Sequence, residues 1–303
     1  MTDKEQFLSS RQRYHPLALP QQFSDEEMVR DWTLSKRDHL EVNKYRKQFR
    51  LGIAIQLCAM RLYGRFLNQI QDLSPRVVNY LNSQLKLNPT LAISVPDREA
   101  TVLEHRKKIL TYLGFRKFDT KAEADLDRWI EEQANLGMLP GELFQRAERY
   151  LLLQRIVLPG PSTIERQIIR ICGQVHTQLF EFVFMQMSPE LRQAIDNFLQ
   201  ASDGNQRSYF NQLKEYPPAA KISSLKKYLE RYNTLVATGI NEFEEQAIEG
   251  AFLDYLYRLT KRYNATDMKR FKDHKRYALM ICFLLETRKV LLDHLVKMHD
   301  QYM

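Results

Sequence analysis

The sequence predicts an all-α fold, two helical bundles with helix-turn-helix-like elements, and three observations carry that expectation. Apolar residues recur at three- and four-residue spacing along most of the chain. No segment longer than a few residues alternates with the two-residue period of a strand. Helix-start signals, a Ser or Thr followed by proline or acidic residues, recur from Ser24 to Ser188. The length of 303 residues suggests roughly two domains, drawn at 1–157 and 158–303 because a stiff proline turn begins there.

Residues 1–20 include Arg11, Arg13 and His15 without a clear period, so they read as an arm or a frayed terminus. Ser24 opens a helix, with Asp25, Glu26 and Glu27 where the macrodipole favours negative charge. Ser35, with Asp38 three residues on, gives a second helix a start resembling a capping box. Residues 51–62 are apolar nearly all round, Ile53, Ile55, Leu57, Cys58, Met60 and Leu62 pointing in different directions, which marks a buried helix. Its charges cluster at the ends, Arg46, Lys47 and Arg50 at the entry and Arg61 and Arg65 at the exit. Ser74-Pro75 starts the next helix and Asn88-Pro89 ends it. Residues 98–113 form a further helix closed by Gly114, Thr120 caps the one that Gly137 closes, and a last helix of this half covers 143–157.

Leu158-Pro159-Gly160-Pro161 then interrupts the helical pattern, because proline lacks an N–H and biases the residue before it toward extended geometry. Ser162 is expected as the N-cap and Thr163 as the first helical residue. Beyond it Thr163, Arg166, Gln167, Arg170, Gln174, Thr177 and Gln178 share one helix face, and Ile164, Ile168, Ile171, Cys172, Val175 and Leu179 the other. The polar face suits DNA: Arg matches the guanine edge, Gln the adenine edge, and Ser or Thr a phosphate oxygen. A solvated amphipathic helix is the competing reading, and for Arg166 so is a bond to a turn carbonyl. Ser188-Pro189 repeats the start signal, while Asp203-Gly204-Asn205 and Pro217-Pro218 are breaks. Further helices are expected over 225–235, 243–263 and 268–302, the last with Lys269, Lys272 and Arg276 on one face.

The formal net charge of +8 favours an anionic partner, nucleic acid first. Residues 36–65 hold eight basic side chains, Lys36, Arg37, Lys44, Arg46, Lys47, Arg50, Arg61 and Arg65, against Asp38 and Glu41. Residues 255–276 hold eight more against two acidic ones, whereas 119–148 reverse the balance and are poor candidates for DNA contact. No run approaches the roughly 18 apolar residues of a membrane span, and the first residues do not resemble a signal peptide, so a cytoplasmic protein is expected. Cys58, Cys172 and Cys282 fall inside apolar patterns and read as reduced core residues. The seven histidines form no i, i+4 pair, and there is no phosphate loop or nucleophile elbow, so no cofactor, metal or catalytic residue is expected.

Four motifs point to a family: Arg50-Leu-Gly-Ile-Ala-Ile-Gln-Leu-Cys-Ala-Met-Arg61 through Gly64-Arg65; His105-Arg106 with Tyr112-Leu-Gly-Phe-Arg116; Leu158-Pro-Gly-Pro-Ser-Thr-Ile-Glu-Arg166; and Lys275-Arg-Tyr-Ala278 with Phe283-Leu284. Across essentially its whole length the chain resembles the N-terminal region of transposases of the Tn-three family of replicative transposons. The resemblance implies binding of double-stranded DNA at the terminal inverted repeats of a mobile element, in a bacterial, nucleoid-associated setting. It also implies that the magnesium-dependent Asp-Asp-Glu chemistry lies in a part of the longer relatives not represented here. Both halves are then expected to bind DNA, through Lys36, Lys44, Arg46, Lys47, Arg50, Arg61 and Arg65, through Ser162, Thr163, Arg166, Gln167 and Arg170, and through Lys269, Lys272 and Arg276. The alternatives are a helical scaffold for homodimerisation or a host factor, and a short regulator of transposition.

Overall fold

The computed structural model describes residues 7–14, 22–70, 73–87, 93–200, 207–215, 222–243 and 248–302. The breaks expected at Asn88-Pro89, Asp203-Gly204-Asn205 and Pro217-Pro218 lie outside them. Among these residues the regular structure is helical apart from isolated bridge residues, of which Arg116 and Ile156 pair in parallel. Two compact units divide the chain, one of Met1–Ile130 with Pro140–Ile169 and one of Glu131–Leu139 with Arg170–Met303.

The first unit contains α1 (Ser10–Tyr14), α2 (Asp25–Trp32), α3 (Lys36–Asn43), α4 (Arg50–Tyr63), α5 (Pro75–Leu85), α6 (Glu99–Leu113) and α8 (Pro140–Leu153), with the first parts of α7 (Thr120–Asn135) and α9 (Pro161–Gln186). Ser24 and Ser35 cap α2 and α3 with reciprocal boxes: each hydroxyl accepts from the third helical amide, and Glu27 and Asp38 accept from the capping residue's own N–H, both at 2.8 Å. Every residue of α4 from Leu51 to Met60 is buried, as a helix without a polar face must be. Trp32, Leu81 and Ile109, from α2, α5 and α6, are buried around it. Each such side chain contributes about 1.5–3 kcal/mol. Asp119, not Thr120, caps α7, its carboxylate accepting from the Ala122 amide at 2.8 Å.

The proline turn is tied down by backbone bonds rather than merely stiff. The Val157 amide donates to the Arg116 carbonyl and the Leu158 amide to the Gly64 carbonyl, both at 2.9 Å, so the turn lies against the ends of α4 and α6. Helix α9 then starts earlier than the sequence suggests. The Gly160 carbonyl accepts from Thr163 and Ile164, which makes Gly160 the N-cap and places Ser162 inside the first turn. Pro161 takes the first helical position, where its missing N–H costs nothing and its φ is already helical.

In the second unit, α10 (Pro189–Leu199), α11 (Tyr209–Leu213), α12 (Ile222–Val236), α13 (Gly250–Lys261) and α14 (Ala265–Lys269) accompany α15 (Asp273–Tyr302). Residues 277–285 of α15 are all buried, and Phe283 meets Phe210 edge-on with ring centres 5.0 Å apart. The single helix expected over 268–302 is in fact two. Asn264 and Asp267 form a capping box that starts α14, and Phe271 turns in against Tyr263, so Lys272 becomes the residue whose carbonyl opens α15. Lys269, Lys272 and Arg276 therefore do not share a helix face. No helix among the described residues is long and apolar enough to cross a membrane.

Candidate nucleic-acid interface

The first unit sorts the cations that the sequence groups together. Lys36 and Arg37 open α3 and are exposed, as are Arg46 and Lys47 just before α4. None of these four is ion-paired among the described residues. The neighbouring acids are otherwise engaged: Glu41 pairs with Lys44 at 2.5 Å, and Asp38 is 2 % exposed and accepts from Arg61 at 2.7 Å and the Tyr112 hydroxyl at 2.8 Å. Arg50 donates to the carbonyls of Tyr45 and Asn43, both at 3.0 Å, which closes the loop ahead of α4. Arg65 is buried against Glu148 at 2.7 Å. Arg50 and Arg65 thus hold the fold, whereas Lys36, Arg37, Arg46 and Lys47 present charge to solvent.

On α9 the apolar face is buried as expected, Leu179 only partly, and Ser162, Arg166, Arg170, Gln174, Thr177 and Gln178 are exposed, with Thr163 half-buried. Arg166 Nε donates to the Ser162 carbonyl at 3.3 Å, the local bond raised as its alternative role. Gln167 does not belong to the open face: it is 4 % exposed and donates to Asp127 of α7 at 3.0 Å, because α7 packs over that side. Glu165, just before them in sequence, is buried and anchors the beginning of the described chain. Its carboxylate accepts from Arg13 at 2.7 and 2.9 Å and from the amides of Phe7 and Leu8 at 3.0 and 2.9 Å. Residues 7–14 are accordingly not a free arm. In the second unit Lys269 and Lys272 are exposed, while Arg276 is held by Asp273 at 3.0 Å and Asp196 at 3.6 Å.

The two buried carboxylates give this unit a defined acid response. Burial pushes the Asp38 carboxyl up, but the bonds from Arg61, the Ser35 amide and Tyr112 outweigh it and hold the group below the usual carboxylate range. Glu165 is lowered in the same way, burial being overcome by Arg13 and the amides of Leu8 and Phe7. Carboxylates held down contribute stability that is complete above their unfolded value, about 4, and lost as pH falls through the lowered folded values. The unfolding midpoint of this unit is expected to decline steeply below about pH 5 on account of these two groups, after a smaller loss that begins near pH 6.5 because burial lowers the His105 imidazole. Glu165→Gln should make that decline shallower, and an unaltered acid limb would remove Glu165 from the explanation.

The sequence pattern did not single out Arg155 and Tyr112 as site residues. Arg155 stands beyond α8 with φ of 52°, in the left-handed region where glycine is usual, and Tyr112 orients Asp38. A signal for Arg155 was present, since no glycine lies between Gly141 and Gly160 to close α8. Among the described residues no group of three or more His, Cys, Asp or Glu could hold a metal ion.

Comparison with known families places this geometry. The family model described as "Domain of unknown function (DUF4158)" matches residues 7–171, more than half of the chain. The chain belongs to this family. The match takes in all the described α1–α8 framework, the proline turn and the opening of α9. Similar curated proteins include the transposase for transposon Tn2501 of Escherichia coli, 26 % identical over 98 % of this chain and 30 % of that protein. The transposase for transposon Tn501 of Pseudomonas aeruginosa is 25 % identical over 97 % of the chain and 30 % of its own length. For the transposase for transposon Tn1546 of Enterococcus faecium the values are 25 %, 89 % and 28 %. The resemblance read from the four motifs therefore holds along nearly the whole chain, which spans about 30 % of the length of these relatives.

Proposed function

We propose that this chain binds double-stranded DNA at the terminal inverted repeats of a transposable element, and that it neither cuts nor joins strands by itself. The observation that carries the reading is the exposed, unpaired set Lys36, Arg37, Arg46 and Lys47 on a rigid helical frame whose nearby carboxylates are buried or already paired. Such a set attracts a polyanion and releases its counterions. The similarity to transposases supplies the context of transposition, and the all-α frame leaves helices as the elements able to enter a groove. Within this reading α8, the proline turn and the first turns of α9 act as a helix-turn-helix-like element. Thr163 and Arg166 would then reach base edges from the N-terminal end of α9, while the cations of α3 and of the α4 entry hold the backbone.

The test is binding of a labelled inverted-repeat duplex against a scrambled duplex at matched salt, with and without magnesium. Preference for the repeat without strand cleavage is the expected result, and equal binding of the two duplexes would remove the sequence-specific part. Lys36→Gln, Arg46→Gln and Lys47→Gln together should weaken binding to both duplexes alike. They should flatten the slope of log K against log salt by about 0.9 for each phosphate that is no longer neutralised. A wild-type slope in the triple variant would show that this patch does not touch the backbone.

One observation favours self-association as a second reading. On α9 in the second unit Phe182 is 43 % and Met185 72 % exposed, one turn apart. Sedimentation of the chain without DNA separates it from the first reading, since a monomer at all concentrations would exclude it.

A further inference from the structure

A groove in the first unit is built as if to receive an anion. It measures about 600 Å³ and lies between the start of α3, the end of α4, the end of α6 and the end of α8, with Arg37, Arg61 and Arg155 in its walls. We propose that this groove is a phosphate-binding site that grips one phosphodiester of bound DNA, the identity of the ligand resting on the DNA reading above.

Two of its guanidiniums are fixed in advance. Arg155 holds the position after α8 that closes the helix, its amide donating to the Leu152 carbonyl at 3.0 Å and the next amide, of Ile156, to Leu151 at 2.9 Å. α4 and α6 end on Gly64 and Gly114, also left-handed. A non-glycine residue pays a steric penalty there, and a strained backbone retained at one position is a reason to ask what its side chain does. Lys86 ends α5 in the same conformation, but Arg155 alone of the two has its side chain held in the groove wall. Its Nη1 donates to the Leu113 carbonyl at 3.0 Å, close beside Gly114, where a Cβ would lie 3.1 Å from that nitrogen and crowd it.

Arg61 is aimed by Asp38, whose carboxylate is itself set by Tyr112 and the Ser35 amide, yet 38 % of its side chain remains exposed. Arg37 is exposed beside it. Three guanidiniums against one buried carboxylate leave the groove with an excess of two positive charges, and Leu152 and Phe115 give it an apolar wall. Planar guanidinium forks match phosphate oxygens, and the volume accommodates a nucleotide.

Arg155→Gly separates the ligand role from a structural one, because glycine is the residue this backbone favours. The variant is expected to melt at or above the wild-type temperature while binding a 30-base-pair duplex about tenfold more weakly. Arg37→Gln, at an exposed position, is expected to weaken binding by a similar factor without altering stability. In parallel, inorganic pyrophosphate should raise the melting temperature of the wild type and leave that of Arg155→Gly unmoved. If both variants bind duplex like the wild type and pyrophosphate protects none of the three, the groove is not a phosphate site, although the DNA reading survives. If the wild type binds no duplex but pyrophosphate still protects it and not Arg155→Gly, the groove stands as a site for free phosphates and the DNA reading fails. A lower melting temperature for Arg155→Gly, with duplex binding by Arg37→Gln unchanged, would make Arg155 a purely structural cap.

Discussion

Replacing Glu165 by alanine is expected to destabilise the first unit by about 3 kcal/mol, the lower end of the range for breaking a buried ion pair by removing one partner. Glu165 is 3 % exposed and accepts four hydrogen bonds, two from Arg13 and one each from the amides of Phe7 and Leu8. Alanine leaves all four donors without that acceptor. The lower end applies because Arg13 is 17 % exposed and the segment carrying it can detach and regain water. The measurement is simple because both tryptophans, Trp32 and Trp129, belong to the first unit, so fluorescence reports its unfolding separately from the second. That separation matters in a chain of two units, where a single unfolding free energy is not well defined. Hydrogen exchange at Phe7 and Leu8 should accelerate in the same variant. A urea midpoint equal to the wild type, with both amides still protected, would show that the segment is held by its apolar contacts, such as Phe7 against Phe144.

Gly64→Ala should have an effect of similar or larger size, about 2–5 kcal/mol, from two separate causes. With φ of 62° the position is left-handed, which costs a residue with a Cβ about 1–2 kcal/mol. The added methyl would also lie 2.0 Å from Leu158 Cδ1 and 3.2 Å from Leu152 Cδ1, too close for either leucine to stay where it is. Leu158 has little room to move, because its amide is bonded to the Gly64 carbonyl and its side chain is buried. The two causes are separable. In a Leu158→Ala background the severe clash is gone and only the milder contact with Leu152 remains, so Gly64→Ala should cost little more than the backbone part and the double variant is less destabilised than the sum of the singles. Additive single effects would rule out the clash and leave backbone strain alone. This glycine is thus where the first family motif, ending at Gly64-Arg65, meets the third, starting at Leu158.

The second motif shows why the resemblance was legible and its reason was not. His105 packs edge-on to Tyr45 and Phe49, and Tyr112 bonds to Asp38, so the motif residues of α6 hold the segment that leads into α4. These are contacts between residues tens of positions apart, and a string of letters records the residues but not the pairing.

The features legible in the letters alone were local. The caps at Ser24, Ser35 and Ser188 need only a side-chain oxygen and an amide three residues on, and α4 had to be buried because it has no polar face to offer water. The glycine end of α6 follows from a backbone conformation that a side chain strains. Tertiary structure decided which charges are available. Arg65 finds Glu148 across 83 residues, Gln167 finds Asp127 across 40, and Glu165 reaches back to Arg13 across 152. Composition counts Arg65 and Arg37 alike as basic, yet one is buried in an ion pair and the other faces solvent. The reason is physical: a charge is neutralised by whatever the fold brings within about 4 Å, and that distance is set by packing between helices rather than by spacing along the chain.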